Sequence, residues 1–187
     1  NTPRNMTKIG KGYALIASPK LKDDPFRRSV VYLTQCDSRS AVGFIMNRPT
    51  KLLLGQFFPQ VKQAVRLYSG GPVESGMLYF IHDIPHLLPE SIPIRGGVFW
   101  GGQFETLLEL LAQGDVSPAN VRFFLGYAGW GEGQLDEEIN GKYWFAEPFR
   151  GNPVTADRSD MWTEMLCGDV AAADIIRDNA PDDIELN

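Results

Sequence analysis

The stretch that most constrains the fold is an apolar run followed by closely spaced glycines, at residues 121–139. The run predicts a buried strand over 122–127, and the acid-rich residues after it predict a helix over about 134–140. Four glycines lie within or between these elements: Gly126, Gly129, Gly131 and Gly133. Because glycine adopts positive φ and lets backbones approach closely, we predict a strand, a glycine-rich loop and a helix N-terminus in succession. Such a succession is a common ligand-binding geometry.

The residues of this loop nevertheless do not indicate which ligand it would bind. The GxxxxGK[ST] phosphate-binding pattern is absent from the sequence, and neither lysine nor arginine occurs between Trp130 and Ile139. Acidic residues in a first helical turn are explained by the helix dipole alone. A structural turn is the favoured interpretation, and an anion bound at the helix start is the alternative. Trp130 and Gln134 are candidate contact residues for that alternative.

Size and charge narrow the class of partner. At 187 residues the chain can bury one sizeable core, so we predict a single domain over 1–187. Its net charge is −5, whereas proteins that bind nucleic acid without sequence preference carry a basic face. One local basic patch occurs, within residues 20–28. Asp23 and Asp24 interrupt it, so a solvated loop is the favoured interpretation of that patch. The patch consists of Lys20, Lys22, Arg27 and Arg28. A protein partner is therefore favoured over nucleic acid.

The order of the remaining elements predicts the fold class. Apolar and β-branched segments predict strands at 13–17, 29–34, 41–46, 65–68, 77–82 and 142–145. Helices are predicted at 103–113, from Ser159 to Gly168, and at 170–178. We also expect a short helix after Pro49–Thr50 that stops at Pro59, an irregular segment over 83–98, and a frayed acidic tail at about 181–187. Strands followed by mixed strands and helices indicate an α+β (mixed α/β) domain.

Polar residues at strand ends are the other candidate binding groups. Asn47 and Arg48 close a strand that the pattern predicts to be buried on both faces. Arg48 could hold a carboxylate or phosphate, or it could pair with an internal acid while Asn47 makes an Asx-type turn. The Gly70–Gly71 pair predicts a tight turn whose backbone amides could bind an anion. Ser18 follows the first strand and is a further candidate for lining such a cleft.

The motifs of familiar catalytic chemistry do not occur. The sequence contains no GxSxG motif, and its two cysteines, Cys36 and Cys167, are not in a CxxC arrangement. Asp37 is expected to raise the pKa of the Cys36 thiol. His82 and His86 lack a third ligand in a zinc-binding spacing. We therefore predict no catalytic residue, no metal site and no cofactor.

Several segments together resemble the AlgH/YqgE family of bacterial proteins. The segments that carry the resemblance are 17–19 with 26–31, 41–49, 70–73, and 126–131 with 133–135, in the same order over about 12–148. The resemblance implies a bifurcated, mostly antiparallel sheet curled into a pseudo-barrel, with helices outside. It supplies no catalytic residues, and some members carry the label of transcriptional regulator. Gln103 stands where the family pattern suggests an acid, and no motif matches after Pro148.

These observations lead to two functional expectations. The first is a non-catalytic regulatory or protein-interaction module, with a small anionic ligand as an additional expectation. We expect it to be cytoplasmic and not membrane-bound, because no apolar run approaches the about 20 residues that cross a bilayer. The alternative is a small-molecule or nucleotide-binding enzyme with a cleft near Arg48, Gly71 and Trp130. The candidate binding residues for either are Ser18, Asn47, Arg48, Gly70, Gly71, Trp130 and Gln134.

Overall fold

The computed structural model describes residues 9–157 and 159–168, which form ten strands and three α-helices. The strands are β1 Tyr13–Ala17, β2 Val30–Cys36, β3 Ala41–Ile45, β4 Pro49–Leu53, β5 Arg66–Ser69, β6 Val73–His82, β7 Ile92–Arg95, β8 Val98–Trp100, β9 Val121–Trp130 and β10 Trp144–Pro148. The helices are α1 Phe104–Gln113, α2 Gln134–Asn140 and α3 Met161–Cys167. The helix predicted at 170–178 and the tail at 181–187 lie outside the described residues.

The long strand β9 is the point at which the sheet divides. Its last residues pair with β3, in the register Gly43↔Ala128 to Ala41↔Trp130. Its earlier residues lie between β6, which is antiparallel to it, and β5, which is parallel. From β9 one branch continues through β3, β2 and β1 to β10, and the other through β6 and β8 to β7, with β4 added beyond β5. The predicted bifurcated, mostly antiparallel curled sheet in an α+β domain is confirmed.

Three glycines make the branch point sterically feasible. Gly126 adopts φ +74° between the two parts of β9. A Cβ on Gly70 would lie 2.3 Å from the carbonyl oxygen of Gly126, and one on Gly71 would lie 2.2 Å from the carbonyl carbon of Tyr127. Gly70 also donates its N–H to the Leu125 carbonyl at 2.7 Å. The chain can therefore leave β5 and cross β9 only where side chains are missing.

The apolar side chains form two buried clusters. One lies between the β10–β1–β2–β3 branch and α3, and its large side chains include Trp144, Phe44 and Met165. The other lies between the β5–β9–β6 branch and α1. The helix predicted at 103–113 is confirmed as α1: Leu107, Leu108 and Leu111 form its buried stripe, and Gly114 ends the helix in the left-handed conformation. None of the helices in the described part is long and apolar enough to cross a membrane.

The helix predicted after Pro49 is wrong. Residues 49–53 form β4, which pairs with β5 from Pro49↔Tyr68 to Leu53↔Arg66, and only a short 3₁₀ turn follows at Leu54–Gln56. The Thr50 hydroxyl donates to the Leu67 carbonyl at 2.6 Å. Pairing with a distant strand thus outweighs the local leucine-rich pattern.

The irregular segment predicted at 83–98 is wrong in its second half. Strands β7 and β8 form a hairpin there, and the turn is Gly96–Gly97 with φ of +60° and +83°. Two central residues with positive φ are the usual requirement of a tight hairpin turn. The glycine pair therefore marks a hairpin.

The glycine-rich loop is also shorter than predicted. Strand β9 continues through Gly126 and Gly129 to Trp130, so only Gly131 to Gly133 form the turn into α2. The last described helix, α3, has Asp160 at its N-cap position, one residue after the predicted start at Ser159, and the Asp160 side chain makes no cap hydrogen bond.

Candidate anion-binding site

A pocket of about 260 Å³ lies between the segment that follows β1 and helix α3, and we call it the basic pocket. Its lining residues are Ser18, Pro19, Leu21, Lys22, Arg27, Arg28 and Trp162. Three of them are cations and none is an acid, in a chain whose net charge is −5. All but Trp162 belong to residues 18–28, which we call the 18–28 segment. The patch predicted to be a solvated loop is in part the wall of a pocket.

The side chains of Asn47 and Arg48 hold the 18–28 segment in place through hydrogen bonds to its backbone. The Asn47 side-chain amide donates to the Arg28 carbonyl at 2.9 Å and accepts the Val30 N–H at 3.0 Å. The Arg48 guanidinium donates to the carbonyl oxygens of Asn47, at 3.2 Å, and of Arg27. Burial lowers the pKa of Arg48, and Arg27 lowers it further, whereas Asp24 raises it. These two polar side chains thus fix the backbone that carries the pocket's arginines.

The other end of the 18–28 segment is attached to the β10 side of the sheet. Ser18 donates its N–H to the Tyr143 carbonyl at 2.9 Å, and its hydroxyl oxygen accepts the Lys20 N–H at 3.2 Å. The Phe26 ring packs against two tryptophans, with ring centroids 6.1 Å from Trp130 and 5.6 Å from Trp144. The segment is therefore held on several sides even though it is not a strand or a helix.

Arg28 and Trp162 form the side of the pocket nearest α3. Arg28 adopts φ +54°, an uncommon conformation for a residue with a side chain, and its guanidinium lies 5.3 Å from the Trp162 ring centroid. The indole N–H of Trp162 donates to the Ala17 carbonyl at 2.7 Å. Arg28 thus forms a cation–π pair with Trp162 at this side of the pocket, and guanidinium groups bind anions through their N–H groups.

The structure brings four of the seven candidate residues around one segment. Ser18 lies within the 18–28 segment and lines the basic pocket, while Asn47, Arg48 and Trp130 contact the segment from outside. Trp130 is buried, and its indole N–H lies 3.4 Å from a Glu138 carboxylate oxygen. The binding role of these residues stays a prediction.

The remaining three candidates lie elsewhere. Gly70 and Gly71 are at the branch point of the sheet, and the Gln134 side chain accepts the Gly131 N–H at 3.1 Å in the turn before α2. Arg48, Gly71 and Trp130, which the enzyme alternative places at one cleft, line none of the three pockets described in this section. Their combination as a binding cleft is untested.

A second and larger pocket of about 560 Å³ lies on the side of the sheet where β1 begins and β7 ends. We call it the glycine-rimmed pocket, because its rim contains Gly12, Gly96, Gly97 and Gly151. Its other lining residues are Tyr32, Asp83, Arg95, Val98, Pro148, Phe149, Asn152 and Pro153. It carries one cation and one acid, so its charge pattern differs from that of the basic pocket.

A third pocket, of about 260 Å³, lies over the buried residue Arg122 on β9. The guanidinium of Arg122 lies 3.9 Å from the Tyr68 ring centroid and donates to the backbone carbonyls of Met46, Pro153 and Ala156. Burial lowers the pKa of Arg122, while Tyr68 and Asp157 raise it. Its contacts to three carbonyls tie the segment after β10 to the sheet, which is a structural role.

Cys36 and His82, which lie outside these pockets, have pKa values shifted by burial. Burial raises the pKa of the Cys36 thiol, and Asp136 and Asp37 raise it further, as predicted for Asp37. Burial also lowers the pKa of His82, whose ring accepts the Ile84 N–H at 3.1 Å and lies 2.8 Å from the Gly101 carbonyl. Among the described residues, no group of three or more histidines, cysteines and acids could hold a metal ion.

Comparison with known proteins decides the family. The sequence pattern of the family described as AlgH-like matches residues 14–168. This chain belongs to the AlgH-like family. The match extends beyond the predicted limit near Pro148 and takes in α3 with Trp162, so the AlgH-like region contains every residue of the basic pocket.

Relatives and solved structures agree with this assignment. A UPF0301 protein of Parabacteroides distasonis is 34% identical over 83% of this chain and 81% of its own length, and one of Chlorobium luteolum is 37% identical over 85% of each. The solution structure of the AlgH protein from Pseudomonas aeruginosa has a TM-score of 0.65, with 28% identity over 91% of this chain and 90% of that one. A crystal structure from Corynebacterium diphtheriae shares the fold, with a TM-score of 0.68 at 20% identity over 89% and 91% of the two chains.

Local sequence patterns did not point to the residues that complete the pockets of this AlgH-like protein. Trp162 was predicted only as a helix residue, and it is more than a hundred positions away from the segment whose pocket it closes. Arg95 and Asp83 lie in the segment predicted to be irregular. A usable signal existed for Arg122, because a lone cation inside the apolar run that forms β9 must be buried with partners.

Proposed function

We propose that this AlgH-like protein is a non-catalytic, cytoplasmic module that binds an anionic group carried by a protein partner, through the basic pocket. The observation that carries the proposal is the convergence of Lys22, Arg27 and Arg28 on one pocket in an acidic chain. Guanidinium groups bind carboxylates and phosphates with two parallel hydrogen bonds, which favours an acidic or phosphorylated side chain as the bound group.

The size of the pocket supports a group on a larger partner. Pockets that enclose a whole small molecule usually measure about 300–1,000 Å³, and the basic pocket measures about 260 Å³. A single phosphorylated or acidic side chain fits that space better than a nucleotide does. The overall negative charge of the chain supports a protein partner in preference to nucleic acid, whose binding requires a broad basic face.

The way in which polar groups are used supports a non-catalytic role. The Ser18 hydroxyl accepts a backbone N–H, and Asn47 and Arg48 are hydrogen-bonded to backbone carbonyls. Both cysteines are free thiols, as is usual in a reducing compartment, which supports a cytoplasmic location. A regulatory role, such as the family label of transcriptional regulator, is compatible with this mode of binding.

The proposal is tested by titrating the protein with N-acetyl-phosphoserine amide and with its unphosphorylated counterpart, followed by the NMR signal of the Trp162 indole N–H. We expect a saturable shift with the phosphorylated compound alone, because Arg28 stacks on that indole. Arg27→Gln should weaken the binding about tenfold, the effect of losing one charge-assisted hydrogen bond.

Arg39→Gln is the matched control for this test. It removes the same charge from the exposed connector between β2 and β3, and its affinity should equal that of the wild type. If the phosphorylated compound causes no saturable shift, or if both variants weaken binding equally, the basic pocket is not the binding site. Turnover of a metabolite that is lost in Arg27→Gln would instead support the enzyme alternative.

A further inference from the structure

The glycine-rimmed pocket differs from the basic pocket in size and in chemistry. Its volume of about 560 Å³ falls in the range of pockets that enclose a whole small ligand. Gly96, Gly97 and Gly151 lie on its rim, and no other atom lies within 4 Å of the position where a Cβ would stand on each of them. The rim is therefore open at these three positions.

The floor of the pocket is aromatic. Tyr32 is only 2% exposed, and its ring packs edge-on against that of Phe149 with centroids 5.5 Å apart. Burial raises the pKa of the Tyr32 phenol, so its hydroxyl stays protonated at neutral pH. Such a floor can contact the apolar part of a ligand, and the Tyr32 hydroxyl can form a hydrogen bond with it.

Two opposite charges line the same cavity. The Arg95 guanidinium, on an exposed residue at the end of β7, lies 5.4 Å from the Tyr13 ring centroid. Asp83 is half-buried, and one of its carboxylate oxygens accepts the Asn120 side-chain N–H at 3.0 Å. The second carboxylate oxygen of Asp83 has acceptor capacity for a ligand, and Arg95 is oriented by the tyrosine ring beneath it.

We propose that the glycine-rimmed pocket binds a zwitterion of dipeptide size, with its carboxylate on Arg95, its ammonium on Asp83 and its apolar body on Tyr32 and Phe149. A single amino acid would fill only part of the cavity, whereas a purely anionic ligand would be repelled by Asp83. This proposal is independent of the one for the basic pocket, because the two pockets share no lining residue and the charged residues of the basic pocket are all cations.

The test compares three probes by isothermal titration calorimetry: the dipeptide Leu-Phe, its N-acetyl derivative and its C-terminal amide. The wild type should bind the free dipeptide about tenfold more tightly than either capped form, because each cap removes one charge-assisted contact. This comparison uses unaltered protein, so it does not depend on whether a variant folds. Equal affinity for the three probes, or absence of saturable binding, would overturn the proposal.

Two variants assign each charge to its partner. Arg95→Gln should abolish the preference for the free dipeptide over its amide and keep the preference over the N-acetyl form, and Asp83→Asn should do the reverse. Arg39→Gln, outside both pockets, should keep both preferences. If Arg95→Gln weakens all three probes by the same factor, the contact to the carboxylate is wrong and the assignment fails.

Discussion

The basic pocket and the glycine-rimmed pocket are enclosed by opposite kinds of residue. Long charged side chains on a firmly held segment form the basic pocket. The rim of the glycine-rimmed pocket is open at Gly96, Gly97 and Gly151, and its lining contains only one cation and one acid. Clustered cations, as in the basic pocket, favour a single anionic group. A larger cavity with one cation and one acid favours a small molecule that carries both charges. One small sheet therefore carries two pockets for which we propose different ligands.

The two pockets also differ in what supports their walls. Asn47 and Arg48 hold the backbone of Arg27 and Arg28, and neither an amide nor a guanidinium changes charge in the physiological range. The support next to the glycine-rimmed pocket is His82, which precedes Asp83 and accepts the Ile84 N–H. A histidine is the side chain that responds to mild acid. Substituting the supporting side chains one at a time tests this difference between the two pockets.

The largest effect is expected for Asn47→Ala. The substitution leaves the buried Val30 N–H and the Arg28 carbonyl without their side-chain partner. At about 1–3 kcal/mol for the buried Val30 N–H and about 1 kcal/mol for the carbonyl of the half-buried Arg28, we expect the free energy of unfolding to fall by about 2–4 kcal/mol. Urea unfolding followed by tryptophan fluorescence measures this loss.

Asn120→Ala is the matched control on the side of the glycine-rimmed pocket. Its side chain also makes two hydrogen bonds, to Asp83 and to the Ser117 N–H, but the second is exposed to solvent. We expect a loss of at most about 1 kcal/mol. If both alanine variants lose the same stability, the two pockets are supported equally and the contrast between them is wrong.

A smaller difference is expected between two glycines on the rim of the glycine-rimmed pocket. Gly12 and Gly97 have nearly the same φ, +84° and +83°, so alanine causes the same backbone strain of about 1–2 kcal/mol at either position. A Cβ on Gly12 would additionally lie 2.7 Å from Cβ of Arg95, whereas a Cβ on Gly97 would meet no other atom within 4 Å.

We therefore expect Gly12→Ala to lose about 1 kcal/mol more than Gly97→Ala, the low end of the cost of overpacking. Urea unfolding of the two variants isolates the contact with Arg95, because the strain cancels in the difference. Equal losses would mean that Arg95 moves aside freely, and the pocket would then have no fixed cationic wall.

The sequence singled out the two supports of the basic pocket, as candidate binding residues, but not the pocket itself. Asn47 and Arg48 are conspicuous because polar residues end an otherwise buried strand, and the structure uses both in backbone hydrogen bonds. Their partners lie about twenty positions earlier in the chain, at Arg27 and Arg28. Spacing along a sequence carries no information about which distant carbonyl a side chain will reach, so the pocket could not be assembled from the pattern.

The errors in the fold have the same physical origin. Leucines at 52–54 fit a helix locally, but Leu53 pairs with Arg66 across β4 and β5. By contrast, α1 was predicted closely because its apolar stripe and its terminal Gly114 are local signals. The Gly96–Gly97 turn was a local signal too, and the prolines around it concealed the hairpin. Elements whose signals lie within about a dozen neighbouring residues can be predicted from the sequence. Elements that depend on pairing with another strand cannot.

The smallest expected effect is on the pH dependence of stability, to which His82 contributes and to which Asn47 and Arg48 do not. Burial lowers the pKa of His82 in the folded protein, so as the pH falls below the ordinary histidine pKa the unfolded chain binds a proton before the folded one does. Stability at pH 7 is thus lost progressively toward pH 5, with a slope of at most about 1.4 kcal/mol per pH unit for one proton. His82→Gln should flatten this part of the profile.

His86→Gln is the control, because His86 is exposed and is the only other histidine in the chain. Urea unfolding at pH 7 and pH 5 should show the same acid loss for His86→Gln as for the wild type, and a smaller loss for His82→Gln. The comparison uses the change between the two pH values, so a general destabilisation of His82→Gln does not affect it. An unchanged slope in His82→Gln would show that the support beside the glycine-rimmed pocket is as insensitive to acid as the amide and guanidinium that hold the basic pocket.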